Sequence, residues 1–162
     1  MAEPTSTTPW GPDSDPYSKE SMAIGPVLVR LPADAALSRV LRLAAGGIAA
    51  MAGFTVDEIE DIKIAVSEAL LALIEHGSGE AIEMELSVAM ESRPPGASRQ
   101  TASGFNLRAR TPIEDFDIDH PDLMLCRTVL AGVCSQHSIE LVGGYAEIHA
   151  EIRTAEPNTT SP

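Results

Sequence analysis

Positive charge is in short supply. Eleven lysines and arginines stand against 24 aspartates and glutamates among 162 residues, a formal net charge of -13. Such a chain is repelled by polyanions, which argues against direct binding of nucleic acid or of an anionic membrane surface. The same excess suits a basic protein partner, or serves solubility alone. Cysteine occurs only as Cys126 and Cys134. If both lie on one helix, a rise of about 1.5 Å per residue sets them about 12 Å apart. A disulfide spans Cα atoms within about 7 Å, so these two do not bridge each other. No apolar run approaches the roughly 18–20 residues of a membrane span. No basic segment followed by an apolar stretch opens the chain, as a secretory signal requires. A reduced protein of the cytoplasm is expected.

Apolar residues are also missing from the two ends. Residues 1–24 carry Pro4, Pro9, Pro12 and Pro16 among Ser, Thr, Gly and acids, with Trp10 and Tyr17 as the only aromatic groups. Residues 154–162 hold nothing to bury. Neither segment offers enough apolar surface to offset the entropy of ordering. They are expected to be disordered tails around one domain over residues 25–153, enough for a two-layer core.

Within that domain the periodicities are clear. Val27, Leu28, Val29, Arg30 and Leu31 read as a short strand closed by Pro32. Asp34 is placed to cap a helix over about 35–52, with Leu37, Val40, Leu41, Ala44 and Ile48 at helical spacing and Gly53 as its stop. Thr55 followed by Glu58 is a capping box, and the helix it opens runs to about residue 75 with Ile59, Ile62, Val66, Ala69, Leu70 and Leu73 as its stripe. Residues 81–90 alternate as a half-buried strand. Residues 92–103 read as a hairpin-like loop, and Phe105, Leu107 and Ala109 begin another strand. Residues 111–119 are acidic and irregular. Pro121 suits the first turn of a third helix over about 122–135. Two last strands flank Gly143-Gly144, a hairpin turn. The order β-α-α-β-β-α-β-β implies an α+β two-layer sandwich, a mostly antiparallel sheet with three helices on one face.

The stretch from Arg39 to Gly77, RVLRLAAGGIAAMAGFTVDEIEDIKIAVSEALLALIEHG, and above all its part from Asp57 to Ala69, resembles the first two helices of the anti-sigma-factor serine kinases. These are a branch of the GHKL, or Bergerat-fold, ATPases related to histidine kinases. The element order agrees with that family over about residues 26–153, the second half mainly in pattern.

The resemblance implies three nucleotide motifs. In the first, a Glu and an Asn at i and i+4 share one helix face; the Glu acts as general base and the Asn holds magnesium. Glu68 stands at the first position and Ala72 at the second, and a methyl group ligates no metal. The second motif, an Asp for the adenine amine followed by glycines, matches Thr111, Pro112 and Ile113. Threonine keeps one hydrogen bond, but Ile113 blocks the approach that glycine would allow. The third, a glycine-rich turn whose N–H groups cradle phosphate, matches His120, Pro121, Asp122 and Leu123. Pro121 removes an N–H, and Asp122 puts negative charge where phosphate would sit.

The resemblance therefore implies a degenerate kinase without ATP or magnesium, one that binds and sequesters an RNA polymerase sigma factor. Release would follow competition by an STAS-type anti-anti-sigma factor, and a homodimer is implied. An active serine kinase phosphorylating that antagonist is the alternative, supported by Glu68; an emptied pocket taking another small ligand is a third. Arg39 and Arg42 on the first helix, with Arg30 on the first strand, are the candidate partner contacts, since arginine pairs bidentately with carboxylates. Glu68 reads equally as a solvated remnant, and Asp57, Glu58, Glu60 and Asp61 as a favourable helix start. His76, His120, His137 and His149 lack the spacing typical of zinc ligands, so no metal site is expected. The two cysteines are expected to face the core.

Overall fold

Alternation in the first strand sets the orientation of everything that follows. In β1 (Val27–Pro32) Val27, Val29 and Leu31 turn inward, while Leu28, Arg30 and Pro32 are exposed. The structure, a computed structural model, describes residues 25–77, 81–91, 102–114 and 116–154. The expected tail over 1–24, nearly all of the one over 154–162 and most of the 92–103 loop fall outside the described residues. Thr154, placed at the head of the second tail, is tied down instead: its N–H donates to Ser103 O and its hydroxyl to Ala102 O.

Asp34 does cap, but through one short 3-10 turn: its side chain accepts from Ala36 N at 2.8 Å, and α1 (Ser38–Ala52) begins only afterwards. Gly53 ends α1 in the left-handed region, φ 88°, a conformation that costs glycine nothing. The capping box is present: Glu58 N donates to Thr55 Oγ1 at 3.3 Å and Thr55 N donates to Glu58 Oε2 at 2.8 Å. It opens α2 (Val56–His76), which packs between α1 and α3 (Pro121–Val133) and across the inner face of the sheet. Small residues let α1 and α2 close up; a Cβ added at Gly46 would lie 2.8 Å from Lys63 Cε.

The remaining strands are β2 (Ala81–Met90), β3 (Ala102–Pro112), β4 (Gln136–Val142) and β5 (Tyr145–Arg153). Spatial order is β1-β2-β3-β5-β4 with every neighbouring pair antiparallel. Chain-adjacent strands pair, except that α3 carries the chain from β3 past one strand position and β5 returns to fill it. Gly143 and Gly144, φ 58° and 83°, make the tight turn between β4 and β5. The second strand register pairs Leu86 with Leu107 and Leu107 with Ala150 on the helix side. On the other side Glu83, Glu85, Arg108, Arg110, Glu147 and His149 form a charged face. The core between the layers centres on Leu41, Ile62, Leu70, Met84, Phe105 and Ile148.

Two expectations are corrected by the structure. β3 runs on to Pro112, so Thr111 is a strand residue rather than part of an irregular loop, because it pairs with Ala146 on β5. The segment Ala35–Ala52, with mean hydropathy 1.3, is also long and apolar enough by composition to cross a membrane, where no such run was expected. In the fold it packs against α2 and buries Leu41, Ala45, Ile48 and Ala49.

Candidate functional site

Three turns of α2 face the start of α3. Glu68 and Ala72 lie one turn apart, and His76 follows one turn later. Together with Leu71, Glu75, Asp122, Leu125 and Cys126 they line a cleft of about 350 Å³. Glu68 and Ala72, matched from sequence to the first nucleotide motif, and Asp122, matched to the third, are thus gathered at one place. Ala72 is only 5% exposed; its methyl closes the wall where the family resemblance would put a metal-ligating amide.

Thr111 and Ile113 are not part of this cleft. The Thr111 hydroxyl is buried and donates to Ala81 O at 3.2 Å, and its methyl packs on Gly77. Ile113 donates its N–H to Gly144 O at 3.0 Å and rests against the core. The hydrogen-bonding capacity expected at Thr111 is therefore spent on holding the strand edge.

The N-terminus of α3 explains the third loss. A phosphate cradle needs free amides. Pro121 has none, Asp122 N donates to His120 Nδ1 at 3.3 Å, and Leu123 N and Met124 N donate to His120 O at 3.0 and 3.4 Å. Charge points the same way. Among the residues lining the cleft are three carboxylates, Glu68, Glu75 and Asp122, and neither lysine nor arginine. A triphosphate would meet only repulsion there.

His76 and His120 were set aside from their sequence spacing, yet the fold brings their rings to 4.7 Å between centroids. His76 Nε2 is buried with no hydrogen-bond partner among the described residues, and its ring meets Phe116 edge-on. Nothing in the local sequence signals this pair, because 43 residues and two strands intervene. Burial pushes the Cys126 thiol up to about 11, with the Glu68 charge adding to it, and burial likewise lifts Cys134 to about 12. Both are poor nucleophiles. Cys126 is buried as expected, whereas Cys134 caps the end of α3 and is half-buried.

The partner candidates sit elsewhere. Arg39 and Arg42 are exposed on the outer side of α1, beside Val40, Leu43 and Met51, which are exposed as well. Arg30 is exposed on β1 and lies 3.8 Å from Glu83. A larger hollow of about 410 Å³ lies on the open sheet face, around Glu85, Asn106, Arg108 and His149. Two of its lining groups are already paired, Arg108 with Glu147 at 2.9 Å and His149 with Glu147 at 3.2 Å, and Arg110 pairs with Glu83 at 2.9 Å on the same face. The α2–α3 cleft is the better candidate because its polar groups are less committed.

No protein-family model matches the chain. Over 68 residues it is 35% identical to the serine-protein kinase RsbW of Bacillus velezensis, a stretch that is 42% of each chain. It is 40% identical over 60 residues to RsbW of Bacillus subtilis, 37% of this chain and 38% of that one. It is 46% identical over 57 residues to RsbW of Halalkalibacterium halodurans, 35% of each. The likeness thus spans about two-fifths of these relatives. Among solved structures, the RsbU and RsbW domains of Rv1364c from Mycobacterium tuberculosis match 82% of this chain and 33% of that one, with TM-score 0.57 and 17% identity. The anti-sigma serine kinase resemblance and the α+β fold expected from sequence are both borne out.

Proposed function

We propose that the chain is an anti-sigma-like regulator that works by binding, not by phosphoryl transfer. It sequesters a sigma factor of RNA polymerase by covering segments the polymerase needs, and an STAS-type anti-anti-sigma factor releases it by competition. The action belongs in the cytoplasm, where both partners would be met, and a homodimer is the proposed assembly.

The observation that carries this reading is the outer side of α1. A helix apolar enough to be buried keeps Val40, Leu43 and Met51 exposed, with Leu43 at 77%, and Arg39 and Arg42 stand exposed beside Val40 and Leu43. Apolar anchors flanked by arginine are the composition of binding surfaces, and Arg30 on β1 adds a further cation for an acidic partner segment. The cleft supports the loss of catalysis: a methyl at Ala72, committed amides at α3 and three acids leave Glu68 without a substrate phosphate to act beside.

The test is recovery of partners from the native cell with the tagged full chain, followed by identification by mass spectrometry. A sigma factor is expected, and its capture should be lost in Arg39→Glu/Arg42→Glu. Recovery of neither a sigma factor nor an STAS-type protein would refute the proposal. Calorimetry with Mg-ATP decides the kinase alternative, which Glu68 in the cleft favours; micromolar affinity would establish it.

A further inference from the structure

We propose that His76, His120 and Asp122 form a binding site for a divalent transition-metal ion of the zinc class, at the end of the α2–α3 cleft. One nitrogen of each imidazole and one carboxylate oxygen lie within 4.8 Å of one another. His76 comes from the last turn of α2, and His120 and Asp122 from the start of α3. The site goes beyond the binding reading above and does not depend on it.

Four features of the chemistry point to a cation. First, His76 Nε2 is a buried nitrogen with no hydrogen-bond partner among the described residues. Such an atom carries a desolvation cost that a hydrogen bond or a metal bond would remove. Second, the donors are two imidazoles and one carboxylate, three protein ligands of the kind that leave a fourth position open on zinc. Third, Glu68 and Glu75 line the same cleft and no lysine or arginine does, so the field there favours positive charge. Fourth, the three donors already stand near the spacing a metal requires. Bonds of about 2.0–2.2 Å place tetrahedral donors about 3.3–3.5 Å apart. His76 is held between Phe116 and His120, the His120 and Asp122 side chains are 41% and 67% exposed, and a ligand role for His120 Nδ1 would replace the hydrogen bond it accepts from Asp122 N. His120 Nδ1 already lies 3.6 Å from the Asp122 carboxylate.

Two imidazoles select zinc, cobalt, nickel or copper over magnesium and calcium, which prefer all-oxygen shells. A bound ion would pin the start of α3 to the end of α2 across the cleft.

Tag-free full-length protein, stripped with EDTA, is titrated with cobalt(II) and followed by visible absorption, then with zinc(II) in a thermal melt. One cobalt per chain is expected. Zinc at about a hundredfold excess over its Kd should raise the midpoint by roughly 5–10 °C, and magnesium at the same concentration should not. His76→Gln and Asp122→Asn should each weaken binding by more than about a hundredfold, since even outer partners of a metal site typically cost 10–100-fold. Asp122→Asn keeps its place in the first turn of α3, so its loss of binding is not a folding defect; unchanged circular dichroism without metal checks this. His149→Gln, on the open sheet face, should bind as the parent does. Absence of saturable cobalt binding would overturn the proposal. So would binding that survives His76→Gln, or that is lost in His149→Gln.

Discussion

Leu43→Asp separates partner binding from folding, because the two depend on opposite sides of α1. Leu43 is 77% exposed while Leu41, Ala45 and Ile48 of the same helix face the core. The fold loses only helix propensity, about 0.5 kcal/mol, and Arg39 four residues earlier returns about 0.2–0.5 kcal/mol by pairing with the new carboxylate. The thermal midpoint should therefore move by less than about 3 °C. Binding loses much more if the outer side of α1 is the docking surface. Burying a leucine is worth about 1.5–3 kcal/mol, and a carboxylate in its place must be desolvated as well. A loss above about 2 kcal/mol weakens the complex at least about 30-fold. Calorimetry of the variant with the recovered sigma factor measures this, with Leu141→Asp on the distant edge strand β4 as the control. Affinity within threefold of the parent, or an equal loss in Leu141→Asp, would refute the docking surface.

Gly77→Ala should destabilise the fold by about 1–3 kcal/mol, read from the urea midpoint, because the new Cβ would stand 2.5 Å from Leu73 O and against the Thr111 methyl; φ of -83° makes this a matter of space, not of glycine conformation. Acid should expose the Arg108–Glu147–His149 cluster. Burial by itself raises the Glu147 carboxyl, but hydrogen bonds and charge from Arg108 and His149 outweigh it and hold it below its ordinary value of 4.5. A depressed carboxyl stabilises the folded state above that ordinary value, and the contribution is lost as pH falls through the folded one. Denaturation midpoints of parent and Glu147→Gln should differ at pH 7 and converge as pH falls below 4.5 and through the depressed value; a constant difference would contradict the cluster. Both thiols should resist alkylation at pH 7.5, since a rise from 9.0 to about 11 leaves Cys126 about 100-fold less thiolate; modification of Cys126 at the rate of a free thiol would show that its burial is breached.

Most of the fold is legible because it is written in local patterns. Thr55 and Glu58 announce α2 by a reciprocal pair of bonds only three residues apart, and Gly53 and Gly143-Gly144 stand where the backbone takes positive φ. Alternation from Ala81 to Met90 determines which face of β2 is buried. Glu68 and Ala72 could be assigned to one helix face from their spacing. The sequence by itself therefore determined the elements, their order and the methyl at Ala72, where the resemblance expects a metal-ligating side chain. Only the tertiary structure decided what surrounds them. It spent the Thr111 hydroxyl on Ala81, committed the α3 amides to His120, and set His76 against His120 at the end of an acidic cleft. Those outcomes depend on contacts between residues tens of positions apart, and side-chain periodicity carries no information about which distant partners will meet. The exposed apolar side of α1 has the same origin. Its composition reads as core, and only the placement of α2 on one flank leaves Val40, Leu43 and Met51 facing outward.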